Sequence, residues 1–327
     1  MDQQIFAHRP ENSNGPWDVA IIGSGPAGLT ASIYTTRGAA STIIFGGEVW
    51  GGQLMLTSNV DNFPSQLGIL GPELMGKMRE HSVAFGAEFL EKSVESIDVS
   101  TRPFRLTVHA TPAGGQGSLF TAHSVIIATG AQSIWLQAPG ISKLIGRGIS
   151  SCAPCDAPFF KDKKVAVVGG GDSAMEEALV LTKYALEVTI IHRRDSFKAS
   201  KVMQSKVLNN PKIKVLWNTE VVEAKGENKL EEVVLKNSQT PSQISNLAVD
   251  GLFIAIGHTP ATDVFKGQLD LDEKGYMKVT DNTKTSVPGV FSAGDVHDHR
   301  YRQAITAAGM GCMAAMDALK YLEEIKT

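Results

Sequence analysis

The sequence predicts an α/β protein of two Rossmann-like domains, each of the three-layer ββα kind, with the second inserted into the first. Three observations carry this. Two glycine-rich loops each stand between an apolar strand and a helix. Each half then continues into alternating segments that read as a small β-meander ending on an apolar strand. The carboxy-terminal tail holds no third unit of this kind. A chain of 327 residues suits about two domains.

In chain order, the first half opens with an apolar strand at residues 19–22, followed by GSGPAG. Gly23 serves the turn, Gly25 lets a pyrophosphate approach the backbone, and Gly28 lets helix pack on strand, with Pro26 and Ala27 opening the helix. Exposed N–H groups at such a helix end bind phosphate charge. The helix shows apolar spacing through Leu29 to Tyr34, and the next strand is Thr42 to Phe45. An acid is expected about 20 residues beyond the loop, to hold ribose hydroxyls. That strand ends Phe45-Gly46-Gly47, which leaves Glu48 as the candidate, slightly late. Alternating residues around Arg105 to His109, the glycine-rich turn TPAGGQGS and the apolar strand VIIATG ending at Gly130 complete the half.

The second half repeats this order. A strand at residues 164–168 leads into GGGDSA, Gly169 to Ala174, with Ala174 in place of the third glycine. A helix over Ser173 to Leu186 and a strand over Val188 to Ile191 follow. The strand runs into IHRRDSFKAS, so His192, Arg193 and Arg194 stand where an acid would bind NAD. Two guanidiniums there suit the 2′-phosphate of NADP, and Lys198 adds a third cation. VVEAKGE, LEEVVLK, a polar turn and the strand LFIAIG ending at Gly257 close the half. One glycine loop is weak evidence; two in full context point to two dinucleotides.

From Gly257 onward the tail is expected to return to the first domain. This divides the chain into a discontinuous domain, 1–132 with 258–327, and an inserted one, 133–257. VFSAGDV places Asp295 after a short apolar strand and ahead of a helix that is rich in small residues at its start. An aspartate there can hydrogen-bond a ribityl hydroxyl, and a helix N-terminus stabilises negative charge on a reduced flavin. A buried capping aspartate is the plainer alternative.

Composition narrows the partners. The chain is 43% hydrophobic and 20% charged, with a net charge of −3, so no global basic field draws nucleic acid or anionic lipid. No apolar run nears the ~20 residues of a membrane span. The amino-terminal stretch is polar and carries acids, unlike a signal or transit peptide, so a cytoplasmic protein is expected. Three cysteines are too few for a disulfide scaffold. Cys152 and Cys155, in SCAPCDAPFF, could be a zinc knuckle, a structural disulfide, a buried pair or a redox couple. A closed zinc site needs four ligands, which one CxxC with the distant His297 and His299 does not readily supply, so no metal is expected. Cys312, among Gly, Met and Ala, reads as a small buried residue. Phe159 and Phe160 read equally as docking surface or core.

Together GSGPAG, GGQL, VDNFP, ATG, CAPCD, GGGDSAMEEA, HRRD, AIGHTP and AGDVHDHRYRQA, spread from about Asp18 to Tyr321, resemble the low-molecular-weight thioredoxin reductases. The resemblance implies an enzyme, usually homodimeric, that passes hydride from NADPH to FAD and electrons on to the Cys152–Cys155 disulfide. Oxidised thioredoxin is then reduced by dithiol–disulfide exchange. It implies Cys155 as the flavin-facing sulfur and Asp156 as the nearby acid. FAD would be held by Gly23, Gly25, Pro26, Ala27, Gly28, Glu48, Gly52, Gln53, Leu54, Asn62, Thr129, Gly130, Gly294, Asp295, Arg302, Gln303 and Ala304. NADPH would be held by Gly169, Gly171, Asp172, Ser173, His192, Arg193, Arg194, Lys198, Ile256 and Gly257. Three features depart from the family: Ala157 with Pro158 after CxxCD, where Gly is common; Lys198 where Arg is frequent; and the Ala-Pro spacer between the cysteines.

The cysteines precede the second unit's first strand, so nicotinamide and disulfide ride on one domain and must both reach one flavin. A rotation about linkers near residues 130–132 and 256–258 is the expected solution. Rival readings remain. An alkyl hydroperoxide reductase type normally carries extra N-terminal domains, and only about 17 residues precede the first strand here. A ferredoxin–NADP reductase would lack the CxxC. A dithiol oxidase would pass electrons to oxygen. A non-catalytic redox sensor would bind both cofactors without turnover, whereas two full cofactor sites in one chain suit hydride relay.

Overall fold

A computed structural model describes residues 15–57, 59–108, 117–240 and 244–326. The segment before Gly15, His109 and most of the expected TPAGGQGS turn lie outside these residues. Among the described residues the helices are α1 (Pro26–Arg37), α2 (Gly71–Ala84), α3 (Ile141–Leu144), α4 (Ala153–Asp156), α5 (Asp172–Leu181), α6 (Lys201–Leu208) and α7 (Ala304–Lys326). The chain forms two compact units. One runs up to Gln132 and resumes at Thr259; the other is Ser133–His258, one residue longer than the inserted segment read from sequence. At the two crossings, strands Ala131–Ser133 and His258–Pro260 pair with each other.

The first unit's sheet runs in the order Glu88–Leu90, Thr42–Phe45, Trp17–Ile22, Ser118–Ile127, Phe104–Val108, Val94–Asp98. Strand Ser118–Ile127 changes partner along its length. Its start is antiparallel to Phe104–Val108, its end is parallel to Val290–Ser292, and Trp17–Ile22 lies parallel along it. The expected meander is therefore continuous with the main sheet rather than separate. Val125, Ile126 and Ile127 are fully buried, as a parallel sheet covered on both faces requires, whereas Leu119 is exposed. Alternation sorts the core. Val19, Ile21, Ile44 and Ile126 pack with Leu29, Ala314 and Ala315 of α1 and α7, while Ala20, Ile22, Ile43 and Ile127 pack with Phe104, Leu106 and Phe265. Helix α7 lies so close to α1 that a Cβ at Gly311 would come within 2.1 Å of the Ala27 carbonyl oxygen.

The second unit has an all-parallel sheet in the order Ile149–Ser150, Gly251–Ile254, Lys164–Val168, Glu187–Ile191, Ile213–Leu216. Helix α5 stops at Leu181 rather than Leu186, because residues 182–184 turn back and Ala185 N–H closes on the Leu181 carbonyl. The meander here is a separate antiparallel sheet of Thr219–Lys225, Glu232–Asn237 and Ile244–Ala248. Its third strand falls where the sequence reads as a polar turn. That strand's side chains are mostly exposed, so no buried periodicity marks it. Among the described residues, no helix is long and apolar enough to cross a membrane.

Candidate active site

In the second unit, Cys152 and Cys155 are bonded to each other, with their Cα atoms 5.3 Å apart, which leaves neither sulfur free to hold a metal. Cys152 caps the single turn α4, which carries Pro154, Cys155 and Asp156. Ala153 and Ala157 are fully buried and let this turn pack on α5 and Phe253. The Ser150 hydroxyl donates to Asp156 Oδ2 at 2.6 Å and accepts the Cys152 N–H at 3.0 Å. Asp156 Oδ1 is buried with no hydrogen-bond partner. Burial pushes the Asp156 carboxyl above the usual carboxylate range, and the Ser150 hydrogen bond pulls it part of the way back. Because Oδ2 already accepts from Ser150, a proton on Asp156 belongs on Oδ1. Phe160 is core, edge-on to Phe253 with ring centroids 5.2 Å apart, while Phe159 is exposed.

The same unit holds the GGGDSA loop. A Cβ at Gly169 would lie 2.4 Å from the Ala255 carbonyl oxygen, and one at Gly170 would lie 2.1 Å from the His192 ring. The basic turn is tied to this loop. Lys198 and Ala199 donate their N–H groups to the Gly170 carbonyl at 2.8 and 3.1 Å. Ser200 donates its N–H and hydroxyl to Asp172 Oδ1 at 2.9 and 2.8 Å, which holds the Asp172 carboxyl below its ordinary range. Arg193, Arg194 and Lys198 are exposed beside the loop, as are Gly171 and Ser173, and α5 starts without a side-chain cap. His192 stands apart from these cations. Its ring is buried against Phe197 and Trp217, with Nε2 3.0 Å from the Ser196 carbonyl oxygen, so it braces the turn from within rather than facing solvent. Ile256 and Gly257 follow the strand that flanks the loop, and Ile256 is exposed.

In the first unit, Gly23 has a φ of +113°, and a Cβ there would lie 2.2 Å from the Ala128 carbonyl oxygen. A Cβ at Gly28 would lie 2.0 Å from the Gly23 oxygen, whereas the space at Gly25 is open. Helix α1 begins with no side-chain cap and no acid in its first turn. Ser24 joins the loop to the next segment, donating to the Gly46 carbonyl at 2.7 Å and accepting the Gly51 N–H at 2.9 Å. Gly52 then comes beside Gly25, with Gln53 and Leu54 following on a 3₁₀ turn, while Glu48 is exposed on the bend before them. Gly294 packs on Ala27. Thr129 bonds the Ala261 carbonyl at 2.7 Å next to Gly130, whose surroundings are open. Asn62, in the shallow concavity formed by residues 61–67, donates to Gln303 Oε1 at 3.2 Å. Asp298 is buried and accepts the N–H groups of Arg300, Tyr301 and Arg302, shaping the turn that leads to Ala304.

Asp295 follows Gly294. Burial, then the neighbouring Asp298 charge, pushes its carboxyl up to about 7 against the pull of Arg302. An uncapped helix end, an open glycine and a desolvated carboxylate fit a flavin dinucleotide, whose pyrophosphate and ribityl hydroxyls would supply the missing charge and donor. In the apoprotein, the stability contributed by Asp295 is fully present below 3.8 and is lost as pH rises through about 7. Asp295→Asn is therefore expected to melt above the parent apoprotein at about pH 8 and level with it near pH 4. Parallel melting curves across that range would refute this burial assignment.

The sequence pattern described as pyridine nucleotide-disulphide oxidoreductase matches residues 17–311. The chain belongs to this family. A thioredoxin reductase of Streptomyces coelicolor is 51% identical over 308 residues, covering 93% of this chain and 94% of that one. The solved thioredoxin reductase from Giardia duodenalis is 43% identical with a TM-score of 0.87, covering 94% and 99% of the two chains. That of Streptococcus pyogenes is 38% identical with a TM-score of 0.88, covering 95% and 100%. Within its family the chain belongs with these low-molecular-weight reductases, and it is an oxidoreductase with their α/β fold.

Several residues that shape the sites of this family member carry no local signal. Ser24 lies inside a quoted motif, but its hydroxyl acts on a segment more than twenty residues away. Ser150 precedes the CxxC without belonging to the pattern. Glu177, inside GGGDSAMEEA, reaches α4. Cys312, expected to be buried, is half-exposed, on α7 beside Tyr34 of α1. His297, weighed in the sequence only as a distant metal ligand, is largely buried, with Nδ1 3.0 Å from the Ser292 hydroxyl.

Proposed function

We propose that the chain is a thioredoxin-disulfide reductase, with FAD bound on the unit formed by residues 1–132 and 259–327 and NADPH bound on the unit 133–258, which also carries the disulfide. The observation that carries this reading is the Cys152–Cys155 bond beside the largely buried Asp156, in the same unit as a glycine loop flanked by exposed Arg193 and Arg194. Bound FAD supplies the two-electron relay between NADPH and the disulfide. The N-terminus of α1 and Gly25 bind pyrophosphate, and Asp295 orients a ribityl hydroxyl. Asn62, Thr129, Arg302 and Gln303 line the same cofactor. Arg193, Arg194 and Lys198 take the 2′-phosphate of NADPH.

Opening the Cys152–Cys155 bond takes up two electrons and two protons and leaves two thiols. Asp156 supplies a proton from Oδ1 and recovers one when a thiolate is needed. That thiolate attacks the disulfide of oxidised thioredoxin. A mixed disulfide forms, the second sulfur displaces it, and thioredoxin leaves as a dithiol with the two electrons and two protons. Exposed Phe159 offers an apolar contact near this exchange. The working enzyme is a homodimer, as the resemblance implies.

The direct test is NADPH oxidation by the purified protein with oxidised thioredoxin, repeated with NADH. Flavin reduction without thioredoxin reduction would overturn the proposed acceptor. Arg194→Ala is expected to raise the KM for NADPH about tenfold to a hundredfold, the value of a lost charged hydrogen bond, with kcat kept and the NADH constants unchanged. Equal losses with both nucleotides would show that Arg194 does not read the 2′-phosphate.

A further inference from the structure

Residues 46–52, GGEVWGG, join strand Thr42–Phe45 to the turn that carries Gln53 and Leu54. Four of these seven residues are glycine, so ordering the segment costs more backbone entropy than ordinary chain would. Its ends are tied. Gly46 and Gly47 donate their N–H groups to the Leu90 and Lys92 carbonyls at 2.8 and 3.2 Å, and the Gly51 N–H goes to Ser24 Oγ at 2.9 Å. Of its three side chains, Glu48 and Val49 are exposed, while Trp50 packs inward on the core that holds Phe89.

Helix α2 supplies what Trp50 rests on. The Arg79 guanidinium lies 4.7 Å from the Trp50 ring centre and 4.1 Å from that of Phe89, and the two rings stand edge to face at 6.0 Å. Arg79 Nη1 also pairs with Glu91 Oε1 at 2.7 Å. One guanidinium thus joins a helix, a strand end and the glycine-rich segment. A planar, delocalised cation meets two rings and a carboxylate together, which the point charge of an ammonium does less well. Trp50 and Glu91 follow the carboxyl ends of the parallel strands Thr42–Phe45 and Glu88–Leu90, the edge at which an open α/β sheet takes its ligand. The GSGPAG loop stands at the same edge, with the Gly23 N–H on the Phe45 carbonyl at 2.9 Å.

We propose that Arg79 is a positioning residue for FAD: stacked between Trp50 and Phe89, it clamps the 46–52 segment, and with it Glu48 and Gly52, in the form that receives the dinucleotide. Arg79 acts through Trp50. A segment already ordered spares the cofactor the cost of ordering it, so the clamp shows as slow release of FAD. The inference rests on the reading above that FAD binds the first unit. A parent protein that holds no FAD strikes that reading and takes this one with it. A parent that holds FAD beside variants that release it no faster strikes this one alone.

The test uses purified holoenzyme diluted into flavin-free buffer, with FAD passing an ultrafiltration membrane followed over time by its absorbance. Arg79→Met keeps an unbranched chain and removes the cation. It is expected to release FAD about tenfold faster, the value of one or two partly buried cation–π contacts. Trp50→Leu should do the same. The double variant should release FAD no faster than the quicker single variant, because both substitutions remove one contact. Trp50→Phe keeps a ring for the guanidinium and should stay within about twofold of the parent. Binding of adenosine 2′,5′-bisphosphate, which probes the other nucleotide site, should be unchanged in calorimetry on the same samples. Unchanged release in either single variant overturns the proposal. So do effects that multiply in the double variant, or faster release matched by an equal loss of bisphosphate binding, which marks general loosening of the chain.

Discussion

Replacement of either Cys152 or Cys155 by serine is expected to bring thioredoxin-dependent NADPH oxidation down to background while bound flavin is still bleached by NADPH. The two sulfurs act as one unit. With a single thiol there is no bond to receive two electrons, and a mixed disulfide formed on the remaining sulfur has no resolving partner. The pair lies in the second unit, on a one-turn helix packed on α5. The pair and the GSGPAG loop belong to different units, so flavin content should be unchanged. Stopped-flow flavin absorbance beside steady-state turnover checks both halves. A serine variant that still reduces thioredoxin would remove the disulfide from the pathway. A variant that loses its flavin would show that the pair shapes the cofactor site.

Asp156→Asn is expected to lower turnover by about a hundredfold, within the usual range for a removed general acid–base. It should also make the protein more stable near neutral pH. The sign follows from burial. The Asp156 carboxyl titrates above its ordinary 3.8, so its stabilising contribution is complete below 3.8 and is lost as pH rises through the raised value. Asparagine has no charge to bury and escapes that loss. The expected signature is therefore slower turnover with a higher melting temperature at neutral pH, and matched melting in acid. A variant both slower and less stable at neutral pH would mean that Asp156 serves structure through Ser150 rather than proton transfer. Ser150→Ala provides a contrast, since it frees Oδ2 but leaves the carboxyl in place.

The two glycine loops were legible from residue types alone, because what they require is local. Gly23 at a φ of +113°, with a carbonyl oxygen 2.2 Å from where a Cβ would be, admits no other residue without strain. The same holds for the order of strands around each loop, where uninterrupted apolar runs mark parallel strands buried on both faces. The strand Ile244–Ala248 was not legible, since an exposed edge strand imposes no alternation. His192 read as a nucleotide-binding residue beside Arg193 and Arg194. Only packing against Phe197 and Trp217 turns its ring inward while the two arginines stay in solvent.

The chemistry of the disulfide divides along the same line. Residue order determined that there would be a CxxC with an adjacent acid and a nucleotide loop a short distance downstream, because covalent spacing and backbone conformation are properties of the chain itself. Tertiary structure decided how that acid and those cysteines behave. Desolvation raises the Asp156 carboxyl, Ser150 selects which of its oxygens is left without a partner, and Glu177 arrives from another helix to occupy the Ala153 N–H. Burial and long-range hydrogen bonds depend on which elements come to lie together, and neighbours in space leave no mark on neighbours in sequence.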